Sequence, residues 1–127
     1  MPQHVLVVED DTDILSSLVE VMRDEGFEVS SAANGYQALS QLESGPIDLI
    51  FLDLMMPVMD GWRFLQEARR RFPELHAPVV LLSAVRELSE EARRLGVARF
   101  LSKPFNLDDV VRLAHELGDS RHDRHAV

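Results

Sequence analysis

Residues 48–61 read Asp-Leu-Ile-Phe-Leu-Asp-Leu-Met-Met-Pro-Val-Met-Asp-Gly, and several signals follow one another within them. Leu49-Ile50-Phe51-Leu52 is a short, continuous apolar run without polar alternation, which suits a strand covered on both faces. It stops at a carboxylate, Asp53. Pro57 and Asp60-Gly61 then break the chain before a helical pattern carrying Phe64, Leu65, Ala68 and Phe72, which Pro73 closes. Strand, acid, turn and helix in that order are the opening of a βαβ unit.

The same unit recurs on both sides. Apolar runs lie at Val5-Leu6-Val7-Val8, at 27–32 (the weakest), at Val79-Val80-Leu81-Leu82 and at 97–101. Helical patterns separate them. Thr12 is expected to cap a helix bearing Ile14, Leu15, Leu18, Val19 and Met22, with Gly26 at its stop. Asn34-Gly35 opens a second, with Ala38, Leu39 and Leu42, ended by Gly45-Pro46. Residues 87–95 form another, with a narrow stripe of Leu88, Ala92 and Leu95, stopped by Gly96. Asn106 or Leu107 begins the last, with Val110, Val111, Ala114 and Leu117 ahead of Gly118. Strict alternation of five strands and five helices predicts a doubly wound α/β domain with a parallel sheet. That domain is expected over residues 1–117, with 118–127 as a polar C-terminal tail.

Composition narrows the function. The 127 residues make one domain, long enough to bury roughly two thirds of its unfolded surface without a disulfide or metal staple. There is no cysteine, which excludes disulfides, thiolate metal sites and a cysteine nucleophile. Thirteen basic residues against twenty-two acidic ones give a formal charge of -9, which argues against nucleic acid or an anionic membrane as the partner. No apolar run approaches a membrane span and residues 1–10 lack a signal peptide's regions, so a soluble, cytoplasmic protein is expected. One bias stands out: twelve of the thirteen basic residues are arginine, and the single lysine is Lys103.

In an open parallel sheet, ligands gather beyond the carboxyl ends of the strands. There the first run is followed by Glu9-Asp10-Asp11, the third by Asp53, the fourth by Ser83, and the fifth reaches Ser102, Lys103 and Pro104. Clustered carboxylates repel unless a cation sits among them. With oxygen ligands on offer, a hard ion such as Mg2+ is the candidate. A carboxylate nucleophile flanked by that ion and an ammonium is suited to phosphoryl transfer onto aspartate. Taken singly, acids at strand ends are helix caps and a loop lysine is solvated; it is their common edge that points to chemistry.

These residues also carry a resemblance. Residues 5–11, 48–61, 79–84 and 100–105 resemble, in order and spacing, the receiver domain of bacterial two-component response regulators, and the likeness covers residues 4 to about 117. It implies a flavodoxin-like sheet of order 2-1-3-4-5. It implies Asp53 as the phosphoacceptor, with Glu9, Asp10, Asp53 and the backbone carbonyl of Met55 holding Mg2+. Glu9 stands where many members have aspartate. Ser83 matches the hydroxyl that turns towards the phosphoryl group, Lys103 the motif's lysine, and Lys103-Pro104 a cis peptide. Phe100 takes the aromatic switch position without the hydroxyl of the tyrosine many members carry. A sensor histidine kinase or phosphotransfer protein would donate the phosphoryl group, and a downstream protein would read the surface of the fourth helix, fifth strand and fifth helix.

Departures from common subfamilies add further expectations. The fifth strand begins Ala98-Arg99-Phe100 where DNA-binding members that dimerise through this face have an acidic pair and tyrosine, so a monomer is favoured, with phosphorylation-dependent dimerisation as the alternative. Met55 and Val85 are apolar at positions where polar residues in other members help place the hydrolytic water, so a persistent phosphoryl group is expected. A single-domain regulator is favoured over the N-terminal receiver of a longer one. A haloacid-dehalogenase-like phosphohydrolase would need a second aspartate where Met55 stands, and degenerate receivers that only bind usually lose an acid or the lysine. Thr12, Asp13 and Asp60 read as caps and turn residues, Trp62 as a first-turn residue without a chemical part, and the arginines at 69–71 and 93–94 as solvated helix faces. His122 and His125 have a metal-like spacing that carries little weight.

Overall fold

The apolar runs pair into the sheet that the alternation predicts. The computed structural model describes residues 3–125, with side chains to residue 118. Its elements are β1 (His4–Val8), α1 (Thr12–Asp24), β2 (Glu28–Ala32), α2 (Gly35–Ser44), β3 (Leu49–Leu52), α3 (Gly61–Arg71), β4 (Val79–Ser83), α4 (Leu88–Leu95), β5 (Arg99–Ser102) and α5 (Leu107–His125). All pairings are parallel, in the order β2-β1-β3-β4-β5, a flavodoxin-like arrangement. No helix among the described residues is long and apolar enough to cross a membrane.

The central strands are apolar on both sides because both sides are covered. Leu6, Val8, Ile50, Leu52 and Leu81 face a layer built from α2, α3 and α4, with Leu39, Phe64, Leu88 and Ala92 among its buried members. Their neighbours Val5, Val7, Leu49, Phe51, Val80 and Leu82 face α1 and α5, against Leu18, Met22, Val110 and Leu113. Successive residues of a strand thus serve opposite cores, as the two-residue period requires.

Several boundaries differ from expectation for local reasons. Asp11, and not Thr12, caps α1: its Oδ1 accepts from Asp13 N–H at 3.0 Å and Ile14 N–H at 3.1 Å. Thr12 is the first helical residue. Val97 belongs to the closing turn of α4, its N–H donating to Ala92 O at 2.8 Å, so β5 starts only at Arg99. Gly118 does not stop α5. It is buried inside the helix beside Gln3 and Phe27, and the backbone continues to His125 through part of the segment expected as a tail. Residues 126–127 and the side chains of His122 and His125 lie outside the described residues.

Candidate functional site

Four adjacent strand ends assemble the site. Asp53 N–H donates to Val8 O at 3.0 Å, which carries the β1–β3 pairing one residue past the strands and fixes Asp53 beside Glu9. Glu9 is held from its other side, its N–H donating to Ala32 O at 2.9 Å. Lys103 N–H donates to Ser83 O at 2.9 Å, extending β4 and β5 in the same way. The Lys103–Pro104 bond is cis.

Lys103 Nζ lies 2.8 Å from Asp53 Oδ2, to which it donates, and 2.5 Å from Glu9 Oε1 in an ion pair without hydrogen-bond alignment. Glu9 and Asp53 are 1% and 4% exposed, so both carboxylates have left water. Asp53 Oδ1 accepts from Met55 N–H at 3.1 Å, and Glu9 Oε2 accepts from Asp11 N–H at 3.1 Å. Asp10 is exposed and completes the cluster: carboxylate oxygens of Glu9, Asp10 and Asp53 lie within 4.8 Å of one another. Three acids against one ammonium leave a local excess of negative charge. Glu9 Oε1 is buried without an aligned donor. Oxygen-only donors with that excess fit a hard divalent cation.

Burial pushes the Glu9 carboxyl up to about 7, and the Asp53 charge adds to the rise. The Lys103 ammonium and the Asp11 N–H pull the other way and lose. Burial works to lower Lys103, but hydrogen bonds and charge from Asp53 and Glu9 outweigh it and hold the ammonium above its usual value.

Ser83 is fully buried, and its Oγ accepts from Val85 N–H at 3.4 Å, tying it to the loop before α4. Phe100 is 38% exposed on edge strand β5, paired in register with Leu81. Met55 reaches the site through its backbone while its side chain is exposed. The three consecutive acids therefore divide the work: Glu9 pairs with the lysine, Asp10 faces solvent at the cluster, and Asp11 caps the helix.

Other residues fall into structural roles. Asp60 caps α3, accepting from Arg63 N–H at 2.9 Å. Arg70 and Arg71 pair with Glu67, Arg93 with Glu90 and Arg94 with Glu91, all within their own helices. Arg99 pairs with Glu116 of α5. Trp62 does more than its position in sequence suggests: its indole N–H donates to Glu91 Oε2 on α4 at 2.9 Å. A lone tryptophan at a helix start was the only signal for it, and the partner 29 residues away left none.

Comparison with known proteins finds similarity over nearly the whole chain. The family model described as response regulator receiver domain matches residues 5–115. Transcriptional regulatory protein PdtaR of Mycobacterium tuberculosis is 38% identical over 125 residues, 95% of this chain and 58% of that protein. Sporulation initiation phosphotransferase F of Bacillus subtilis is 34% identical over 112 residues, 87% of this chain and 89% of that protein. Response regulator TrrA of Thermotoga maritima, solved in complex with Mg2+ and BeF, superposes with a TM-score of 0.77 at 30% identity, covering 91% of this chain and 98% of that one. Several curated relatives, PdtaR among them, are matched over little more than half their length.

Proposed function

The chain belongs to the response regulator receiver domain family, and from that membership we propose that it accepts a phosphoryl group on Asp53 and signals by a conformational change. The donor is a phosphohistidine on a sensor histidine kinase or phosphotransfer protein, and the target is a protein, in keeping with a formal charge of -9. The observation that carries this reading is the Asp53 carboxylate. It is buried, its Oδ2 is 2.8 Å from the only lysine, and its Oδ1 is held by Met55 N–H beside two further acids.

In the transfer, a carboxylate oxygen of Asp53 attacks phosphorus, the phosphorus–nitrogen bond to the imidazole breaks, and the bond's electron pair leaves with the imidazole. An acyl phosphate results. Lys103 releases part of its hold on Asp53 and neutralises charge on the transferred oxygens. Glu9, Asp10, Asp53 and the Met55 carbonyl are the groups that would hold Mg2+, which when bound supplies positive charge to the same oxygens. The relative solved in complex with Mg2+ and BeF supports Mg2+ as the ion.

The new charge draws Ser83 Oγ from Val85 N–H to a phosphoryl oxygen, and residues 84–87 follow. Phe100, half out of the sheet edge, packs into the space they leave, and α4, β5 and α5 present a changed surface. The protein acts on no separate substrate; it catalyses only its own phosphorylation and dephosphorylation, in the cytoplasm. Met55 and Val85 offer no polar side chain to a hydrolytic water, so the phosphoryl group persists for minutes. Decay within seconds in a loss-of-label assay contradicts this.

Two larger contexts have support. Phosphotransferase F, matched over nearly its full length, supports a receiver that signals by itself. PdtaR, matched over part of its length, supports a receiver joined to an output segment. The test of the shared proposal is incubation with Mg2+ and a small acyl phosphate, read by intact mass. One added phosphoryl group that is lost in Asp53→Asn is expected; no gain with several donors contradicts the proposal.

A further inference from the structure

Trp62 sits in the first turn of α3, yet it is bonded to α4. Its Nε1–H donates to Glu91 Oε2 at 2.9 Å, and the half-buried ring packs against the core layer that holds Leu88 and Ala92. It also borders the phosphoacceptor end of the molecule, lining a cleft of about 340 Å3 with Asp10, Met55 and Asp60. One side chain therefore stands between the acidic cluster and α4.

The helix it holds is weakly anchored. α4 has eight residues, and only Leu88 and Ala92 are buried. Its N-cap, Glu87, has a left-handed φ of 55° and gives no side-chain cap, whereas Asp11, Asn34 and Asp60 cap α1, α2 and α3. The start of α4 so lacks the side-chain acceptor that α1, α2 and α3 have, and Glu90 N–H turns to Glu87 O at 3.0 Å instead. Residues 84–87 tie this start directly to Ser83. A hydrogen bond from a neighbouring helix to the middle of α4 then opposes any movement that begins at its N-terminal end.

We propose that the Trp62–Glu91 hydrogen bond is a latch that holds α4 in its resting position and sets how readily Ser83 and residues 84–87 respond to phosphorylation. The switching role rests on the phosphoacceptor reading above. The latch is closed here together with Ser83 bonded to Val85, Phe100 exposed and Lys103 paired with both acids. A contact made in one state of a two-state element and lost in the other biases the equilibrium by its own free energy. For one hydrogen bond at a partly solvated carboxylate, that is about five-fold. Arg94 lies 3.7 Å from Glu91 Oε1, the other carboxylate oxygen, and does not replace the indole.

Two measurements test it on the whole chain: hydrogen exchange of residues 86–95 without a donor, and the initial rate of phosphorylation by a small acyl phosphate with Mg2+. Trp62→Phe keeps the ring and removes the donor. Glu91→Ala removes the acceptor from a partly exposed face and leaves the core intact, and Glu91→Gln keeps an acceptor oxygen. Both W62F and E91A are expected to raise α4 exchange and phosphorylation rate about five-fold, the double variant no further than either, and E91Q to stay near wild type. Unchanged exchange in W62F and E91A, or independent effects that multiply in the double variant, overturns the latch. Faster exchange with unchanged phosphorylation overturns its role in switching. Absence of phosphorylation in the wild type sinks the phosphoacceptor reading, and the switching role with it, while exchange still decides whether the contact holds α4.

Discussion

Glu9 carries two opposed demands in one side chain. Folding buries it, which favours the proton, whereas a divalent cation needs the carboxylate. Its folded pKa of about 7 lies above the unfolded value near 4.5. The proton is therefore kept in the folded state and lost in the unfolded one across that window, so this group's contribution to stability is full below pH 4.5 and disappears as pH rises through 7. Without divalent cations, denaturant midpoints are expected to fall from pH 5 to pH 8, and Glu9→Gln is expected to flatten that slope. Stabilisation by added Mg2+ is expected to run the other way and to be larger at pH 8 than at pH 6, because the proton no longer competes. Val58 is a second residue under conflict. It is a β-branched residue at φ 70° and is 79% exposed. Left-handed backbone costs such a residue about 1–3 kcal/mol, and the extra unfolded-state freedom of glycine offsets part of the relief. Val58→Gly should stabilise by about 1 kcal/mol, a rise of about 4 °C in Tm read by thermal denaturation. Nothing in the sequence marks this position, which is the centre of a tight turn closed by Met59 N–H donating to Pro57 O at 2.8 Å. Asp53, Glu9 and Lys103 were legible because strand ends place them; the contact between Glu9 and Lys103 was not, because it depends on how far a side chain one methylene longer than aspartate reaches.

At the scale of elements, the β3–α3 connection shows why residues 48–61 decide so much. Gly61 N–H donates to Leu54 O at 2.8 Å, so the start of α3 lies directly against the segment after Asp53. A Cβ at Gly61 would overlap the Asp53 carbonyl oxygen and lie 2.7 Å from Leu54 Cα. These are backbone atoms and cannot turn aside. Gly61→Ala is therefore expected to cost about 2 kcal/mol in urea denaturation and to slow phosphorylation at least ten-fold by shifting Asp53. The helices were read well wherever a cap residue announced them, as Asn34 and Asp60 do. They were misread where two cap residues compete, as Asp11 and Thr12 do, or where a glycine serves packing, as Gly118 does. The start of α4 is hardest to read because Glu87 supplies no cap at all. Its placement depends on Leu88, Ala92 and the distant indole of Trp62, which are tertiary effects.

The whole molecule is two cores separated by one sheet, and alternation along a strand assigns residues to them. Leu81 faces the α2–α3–α4 layer and Leu82 the α1–α5 layer, though they are adjacent in sequence. Each changed to alanine should cost about 2–5 kcal/mol by equilibrium unfolding. Their consequences separate: Leu81→Ala should loosen α4 in hydrogen exchange and Leu82→Ala should loosen α5. The parallel sheet and its two covering layers followed from continuous apolar runs alternating with amphipathic patterns, while the strand order came from the family resemblance alone. Details that hang on side-chain reach across layers were not. The gathering of Glu9, Asp53, Ser83 and Lys103 from four strand ends has one more consequence, in time during synthesis. A ribosome-bound chain that has emerged through β4 already holds the acids and the hydroxyl, with no ammonium among them. Edge strand β5 is the last of the five strands to be made and the only lysine follows it directly, so on the phosphoacceptor reading a nascent chain is expected to take no phosphoryl group until the sheet is complete.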